Sequence, residues 1–342
     1  MTAVVTGASG HIGGVLVRQL LAQGRPVRAL VHSDRRALED LGDGGGLLEL
    51  VAGDVLDRQA MQRLCEGASV VFHLAAVISI VGDPDGRVRA VNVEGVRNVA
   101  EAALAAGVER MVHVSSIHAF DINSGASFID ENSGRVGADA PAYDRSKAAG
   151  EVALREVIEQ GLDAVVVNPG GVLGPFDFVP SRMGTFFSQL ALRRLPALVP
   201  GGFSWVDVRD VCAAILSAEG QGRRGESYLL CGSWHSMQEL ADMAQQVTGV
   251  RAPSLSVPMW LAQLGAPFMT LWANLRSEEP LYTSEALHAV VACRDVRSAK
   301  ASRELGFNPR PVQDTVSDVY RCFAHRGVLC LAELQGCGAP QL

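Results

Sequence analysis

Residues 6–13 read Thr-Gly-Ala-Ser-Gly-His-Ile-Gly, directly after a short apolar run and directly before an amphipathic segment. This order predicts a strand, a tight turn and a helix. Gly7 suits the turn, Gly10 lets a ligand approach the backbone closely, and Gly13 lets the helix pack against the strand. Unpaired N–H groups at the start of such a helix bind phosphate groups. The stretch therefore predicts a dinucleotide site, whose candidate contacts here are Gly7, Ser9, Gly10, His11 and Ile12.

Short apolar runs alternate with helical patterns along the first half of the chain. This alternation predicts an α/β protein with a doubly wound, Rossmann-type parallel sheet. A longer polar stretch, 121–141, is predicted to be a loop beside the site. The expected strands are 3–5, 26–31, 47–51, 69–74, 110–115 and 162–167.

The composition indicates a soluble enzyme. The chain has 342 residues, 48% of them hydrophobic, and a net charge of −7 without a basic block, which argues against a nucleic-acid partner. Its seven cysteines are scattered and never form a C-x-x-C pair, so we expect reduced thiols, no metal site and a cytoplasmic location. The first residues lack the basic and apolar pattern of a signal peptide.

The residues after the second expected strand bear on cofactor choice. Val31 stands where NAD enzymes usually carry an acid for the ribose hydroxyls. Without that acid a 2′-phosphate is not repelled, and His32, Arg35 and Arg36 could bind it. NADP(H) is therefore the preferred cofactor and NAD(H) the alternative. The competing interpretation is that the two arginines only begin a solvated helix.

The next two strand ends supply further candidates. The carboxylate of Asp54 could accept from the adenine amino group, or it could belong to the N-cap of a helix that starts near Asp57. Small side chains after the fourth strand leave room for an adenosine ribose, whereas His73 is interpreted as a packed core histidine. The candidate contacts in this region are Asp54, Val55, Ala75 and Ala76.

A second group of residues carries the chemistry. Ser116 follows the fifth strand, and Tyr143 and Lys147 are four residues apart, so they share one helix face. An ordinary tyrosine, with a pKa of about 10, is a poor base at neutral pH, and a nearby ammonium lowers that pKa. Ser116 would donate to the substrate oxygen, and Tyr143 would carry the proton. A Tyr-x-x-x-Lys pair alone also occurs on solvated faces, but its place after a serine-ended strand favours catalysis.

With these motifs, nearly the whole chain resembles the extended short-chain dehydrogenases/reductases, which include nucleotide-sugar epimerases, 3β-hydroxysteroid dehydrogenases and dihydroflavonol 4-reductases. Residues 6–13 resemble the family's T-G-x-x-G-x-x-G, and 92–95 resemble its N-V-x-G. Residues 168–175 resemble its R-P-x-x-x-x-G-P stretch, although Asn168 replaces the arginine. The resemblance implies a Ser116, Tyr143 and Lys147 triad. It also implies cofactor contacts at Asn92, Lys147, Pro169 and Gly170.

The subgroup is read from the residues around the catalytic serine. Epimerases usually continue toward a Tyr-Gly pair, whereas Ser116 is followed by Ile117 and His118. Residues 115–117 resemble the steroid dehydrogenases, and 27–31 resemble the flavonoid reductases. We therefore expect NADP(H)-dependent interconversion of a ketone and a secondary alcohol on a bulky lipophilic substrate. The alternatives are an NAD-dependent nucleotide-sugar epimerase or dehydratase and, less favoured, a non-catalytic NADP-binding sensor.

The domain division follows the same resemblance. Residues 1–170, with 205–232 returning to them, form the expected dinucleotide-binding core. Residues 171–204 and 233–326 form a smaller, mostly helical substrate-binding region, and 327–342 form a tail without an assigned role. His118 and Phe178 are the candidate substrate contacts.

Two further expectations concern partners. The apolar stretch 257–272 is too interrupted by Pro and Gly for a membrane span, and it predicts a buried helix or a lipophilic lid, with peripheral membrane contact as the alternative. Residues 88–106 and 148–158 offer apolar faces through which a homodimer could form.

Overall fold

The computed structural model describes residues 1–195, 197–253, 255, 293–329 and 340–341. The apolar stretch 257–272, which predicts a buried helix or lid, lies outside the described residues. So do residues 330–339 of the predicted tail.

Seven parallel strands form the main sheet of the described chain, in the order β3-β2-β1-β4-β5-β6-β9. The strands of the described chain are β1 (Thr2–Thr6), β2 (Val27–Val31), β3 (Leu48–Ala52), β4 (Ala68–His73), β5 (Arg110–Val114), β6 (Ala164–Pro169), β7 (Gly171–Leu173), β8 (Gly202–Asp207), β9 (Ser227–Leu230) and β10 (Trp234–Ser236). The six predicted strands all occur, with ends that differ by one or two residues. The predicted doubly wound α/β fold is confirmed.

The helices cover both faces of this sheet. They are α1 (His11–Ala22), α2 (Arg58–Cys65), α3 (Arg87–Arg89), α4 (Val96–Ala105), α5 (Ala142–Glu159), α6 (Arg182–Ala191), α7 (Val208–Gln221), α8 (Met237–Thr248), α9 (Ala299–Leu305) and α10 (Val312–His325). A π-helical turn, Ala90–Gly95, joins α3 to α4. One apolar core lies under α1, α7 and α9, and a second lies under α2, α4 and α5. Burial on both faces explains why the central strands read as unbroken Val-rich runs.

A smaller layer follows β6. Strands β7, β8 and β10 form a three-stranded sheet, and α6, α8 and α10 pack with it around a third apolar core. The predicted return to the main sheet, 205–232, divides between the two layers. The end of β8 belongs to the small sheet, while α7 packs on α1 and β9 pairs with β6.

The strand order places the functional edge of the sheet. β1 lies between β2 and β4, so the chain winds in opposite directions on either side of it. In such sheets ligands bind beyond the carboxyl ends of the strands at this reversal. The glycine-spaced turn follows β1 at that point. Among the described helices, none is long and apolar enough to cross a membrane.

Candidate active site

The turn after β1 is built for close backbone approach. Gly7 has a φ of +69°, and a Cβ there would lie 2.6 Å from the main-chain nitrogen of Ala75. A Cβ on Gly13 would lie 2.1 Å from the carbonyl oxygen of Gly7. Gly10 is the N-cap of α1 and has no side chain with which to cap it, so the first-turn N–H groups face outward from the helix start. Turn and helix thus form a cradle suited to phosphate groups.

A cavity of about 310 Å³ opens from this turn toward the ends of β2, β3 and β4. The lining combines small residues from the turn and the end of β4 with polar side chains from the ends of β2 and β3. This combination fits the adenosine half of a dinucleotide. Eight of the predicted contacts line it: Gly7, Ser9, Gly10, His32, Asp54, Val55, Ala75 and Ala76.

Other predicted cofactor contacts lie elsewhere. The Nε2 of His11 is 2.8 Å from the carbonyl oxygen of Pro175, and the side chain of Ile12 packs on the core. Arg35 and Arg36 are exposed and do not line the cavity. Arg36 bonds to Asp34 at 2.6 Å, and this hydrogen bond lowers the pKa of the Asp34 carboxyl. The geometry of the two arginines matches the competing interpretation of a solvated segment.

Sequence reasoning missed two charged residues that line this cavity, Asp34 and Arg87. Asp54 lies between the Nε2 of His32, at 3.3 Å, and the guanidinium of Arg87, at 3.9 Å. It also accepts from the amide of Leu56, while Asp57 is the N-cap of α2. The only sequence signal for Arg87 is its place just before the N-V-x-G segment, which does not show which way the side chain points.

The structure brings Ser116, Tyr143 and Lys147 together at the end of β5. Ser116 caps a short 3-10 turn, Ile117–Ala119, and its side chain lies close enough to that of Tyr143 to lower the pKa of the phenol. Lys147 lies one turn after Tyr143 on α5, and its Nζ donates to the carbonyl of Val114 at 3.0 Å. The strand end and the helix face therefore converge on one point.

Burial shifts the ionisation of both α5 residues. Burial raises the pKa of Tyr143 to about 12, although the bond from Ser116 and the charge of Arg182 lower it. Burial lowers the pKa of Lys147 to about 8, and the carboxylate of Glu151 opposes that shift. Tyr143 is therefore a proton donor in this state. A positive charge brought close to it would make it a better base.

Asn92, predicted as a cofactor contact, is buried and bonded to the protein. Its side chain accepts from the amide of Val77 at 2.8 Å and donates to the carbonyl of Val77 at 2.9 Å. It also lies 2.8 Å from the hydroxyl of Ser146 on α5. The amide thus fixes the loop after β4 to the catalytic helix, and its predicted contact with the cofactor stays a prediction.

Pro169 ends β6 and is buried, and Gly170 donates its amide to Leu230 at 3.1 Å. A Cβ at Gly170 would lie 2.4 Å from the carbonyl of Ser204, so the main and small sheets meet tightly here. The predicted contact of Pro169 and Gly170 with a nicotinamide stays a prediction.

The two predicted substrate contacts differ in position. The Nδ1 of His118 is 3.2 Å from a carboxylate oxygen of Asp144, and its ring packs edge-on to Tyr143 with centroids 5.8 Å apart. Phe178 lies between the guanidinium groups of Arg18 and Arg326, at 4.4 and 4.3 Å. His118 therefore adjoins the triad. Phe178 lies between two cations, which is not the environment expected for the wall of a lipophilic pocket.

Comparison with known proteins agrees with this geometry. Residues 3–231 match the NAD dependent epimerase/dehydratase family. The chain is 34% identical over 335 residues to sterol demethylase protein B of Methylococcus capsulatus, covering 96% of this chain and 100% of that protein. It is 32% identical over 335 residues to a putative dihydroflavonol 4-reductase of Synechocystis, covering 94% of each. The crystal structure of gox2253 superimposes with a TM-score of 0.80 at 32% identity, over 96% and 99% of the two chains. The chain belongs to the NAD dependent epimerase/dehydratase family and is an NAD(P)-dependent enzyme of the extended short-chain dehydrogenases/reductases.

Proposed function

We propose that this protein interconverts a ketone and a secondary alcohol on a bulky lipophilic substrate, with NADP(H) as its cofactor. The observation that carries the proposal is the convergence of Ser116, Tyr143 and Lys147 at the end of β5, with the Lys147 Nζ bonded to the carbonyl of Val114. A non-catalytic cofactor sensor would not need this arrangement.

Each residue of the triad has a defined task. When bound, the nicotinamide supplies or accepts a hydride at the substrate carbon. Ser116 donates to the substrate oxygen, and Tyr143 gives or takes its proton. Lys147 holds a positive charge next to the tyrosine and lowers the cost of the phenolate. The bond from Lys147 to the carbonyl of Val114 fixes that charge to the strand end.

Two observations support a lipophilic substrate. The names of two similar proteins refer to sterol and dihydroflavonol chemistry. The loop after β4 also exposes Ile78 and Val81 by 64% and 55%, close to the cavity-lining Val77. Apolar side chains exposed at the edge of a site are typical of surfaces that cover an apolar ligand.

The cofactor preference rests on the adenosine end of the cavity. Arg87 and His32 face it, and both can donate to a 2′-phosphate. The carboxylate of Asp34, which also lines the cavity, is bonded to Arg36, so its charge is balanced from outside the cavity.

The test is reduction of a panel of cyclic and aryl ketones by purified protein with NADPH, beside the variant Tyr143→Phe. We expect the variant to lose at least about 100-fold in turnover, because phenylalanine has no hydroxyl to give or take the proton. Its affinity for NADPH should change little, which calorimetry would measure.

Full turnover by Tyr143→Phe would contradict the assigned role. Tightly retained NAD, together with binding of a uridine or thymidine diphosphate, would favour a nucleotide-sugar epimerase instead.

A further inference from the structure

The residue that replaces the family's arginine, Asn168, occupies a buried position beside the triad. Its Nδ2 donates to the carbonyl oxygen of Ser116 at 3.0 Å and to the Oε1 of Glu151 at 2.6 Å. Its Oδ1 is buried and has no hydrogen-bond partner among the described residues. Asn168 thus acts here only as a hydrogen-bond donor. An arginine at this position would also be a donor, because its side chain has no acceptor.

A guanidinium reaches the same carboxylate from another part of the chain. Arg135, in the loop 121–141, bonds to the Oε2 of Glu151 through its Nε at 2.9 Å and through a terminal nitrogen at 2.8 Å. The guanidinium lies 3.6 Å from the centre of the Phe120 ring, so it is stacked as well as paired. The Glu151 side chain is only 3% exposed. A carboxylate that is so buried needs donors of this kind to stay ionised.

Glu151 connects this pair to the chemistry. It follows Lys147 by four residues on α5 and therefore lies on the same helix face. His73 and His113 also face Lys147 from β4 and β5, but burial lowers the pKa of both, so they are uncharged near neutral pH. The carboxylate of Glu151 acts on Lys147 through its charge and raises the pKa of the lysine, whereas the hydrogen bond of the Lys147 Nζ goes to Val114. Through Asn168, Glu151 is joined to the main chain of Ser116.

We propose that Arg135 is a positioning residue of the active site, which holds the Glu151 carboxylate on the helix face of Lys147, where its charge favours the ammonium, and which through Glu151 and Asn168 fixes the backbone of Ser116. It supplies from the loop 121–141 the guanidinium that the related motif carries at position 168. This inference rests on the proposed function of the triad. Its test, however, reads the lysine directly and needs no substrate.

The composition makes that test simple, because the chain has two lysines, Lys147 and Lys300. Selective ¹³C labelling of lysine side chains would give two sets of NMR signals, which can be followed through a pH titration. Lys300 pairs with Glu226 at 2.6 Å and donates to the carbonyl of Ser227, whose hydroxyl Arg135 also contacts at 3.4 Å. Its signals are therefore compared between Glu151→Gln and the wild type, where Arg135 is unchanged.

We expect Glu151→Gln to lower the titration midpoint of Lys147 by about one pH unit, a tenfold change in its acid dissociation constant. Arg135→Gln should lower it in the same direction, because Glu151 then loses the guanidinium that holds its carboxylate on the helix face of Lys147. The double variant Arg135→Gln with Asn168→Arg should restore the midpoint, since it returns a guanidinium to the carboxylate. In Arg135→Lys, which keeps the charge, the titration midpoint of Lys147 should lie between those of the two single variants to Gln and that of the wild type.

The matched control is Arg297→Gln. Arg297 also stacks on a phenylalanine, Phe128, and pairs with a carboxylate, that of Asp295, but this pair is exposed. Its loss should leave Lys147 unchanged. If Arg135→Gln and Glu151→Gln lower the melting temperature while the Lys147 midpoint stays fixed, the network is merely structural and the proposal is wrong. Failure of the proposed function would appear separately, as unchanged turnover in Tyr143→Phe.

Discussion

Charges at the adenosine end of the cavity are balanced residue by residue. Asp54 lies between His32 and Arg87, and Asp34 is bonded to Arg36. The Arg87 side chain is about half exposed and its contact with Asp54 is long, at 3.9 Å, so it can turn toward a ligand phosphate with little loss. We therefore expect cofactor choice to depend on Arg87 more than on the arginines that follow β2.

Arg87→Gln should weaken the binding of 2′,5′-ADP by about tenfold and leave the binding of 5′-ADP within about twofold, because a hydrogen bond to a charged group contributes about 1.5–3 kcal/mol. Calorimetric titration with both nucleotides measures the difference. Arg89→Gln is the matched control, since Arg89 follows in the same helix but pairs with Glu94 outside the cavity. An equal loss of affinity for both nucleotides would show that Arg87 does not bind the 2′-phosphate.

Sequence reasoning reached some of these residues for a clear reason. His32 and Asp54 directly follow strands, and parallel strand ends must meet at the same edge of the sheet. Arg87 begins the short helix α3, which does not directly follow a strand, so its approach depends on tertiary packing that the sequence pattern does not encode. The same holds for Arg135, whose partner Glu151 lies on a different element.

Two neighbouring glycines in α1 differ sharply in their surroundings. Gly13 faces the turn that precedes the helix, whereas the nearest atom to a Cβ on Gly14 would be the Cβ of Ala37, at 3.4 Å, an ordinary contact. Gly13 therefore lets the helix lie close to the preceding turn, whereas Gly14 only lowers the helix propensity of α1.

Gly13→Ala should therefore abolish measurable NADPH binding and destabilise the protein, while Gly14→Ala should bind normally and gain up to about 1 kcal/mol in free energy of unfolding. Calorimetry and urea denaturation of the two variants check this. Normal NADPH affinity in Gly13→Ala would mean that the close contact is dispensable.

At the level of elements, the main sheet was predictable because buried parallel strands leave unmistakable Val-rich runs. The π-helical turn Ala90–Gly95 was not, because one extra residue in a helix barely alters the apolar period. That turn contains Asn92, whose buried amide binds the loop after β4. The resemblance placed Asn92 at the site but could not show which partner it meets.

The acid stability of the whole molecule should depend on two stacked histidines. His73 and His113 are fully buried on adjacent strands, with ring centroids 5.3 Å apart, and the Nδ1 of His73 bonds to Thr6 at 2.7 Å. Burial lowers the pKa of His73 to about 3 and that of His113 well below its ordinary value. The unfolded chain therefore binds protons below pH 6.5 that the folded chain does not, and stability falls as the pH falls from 6.5.

We expect the free energy of unfolding to drop by about 1.4 kcal/mol per histidine for each pH unit below about 6.5. Urea denaturation between pH 7 and pH 5 measures this slope above the range where carboxylates titrate. His113→Phe, which keeps a ring, should roughly halve the slope, whereas His325→Gln, at an exposed position, should not change it. An unaltered slope in His113→Phe would exclude the pair as its cause.

The packing of α1 on α7 sets the order in which the site can be completed during synthesis. The thiol of Cys212 lies 3.4 Å from the carbonyl of Ile12, a contact between residues 200 positions apart. The ribosome therefore releases the glycine turn about 200 residues before the helix that supports it. Contacts of such sequence separation form late and slowly, since their loops must close first. A nascent chain carries the turn without a finished site, and cofactor binding becomes possible only after α7 has emerged and docked.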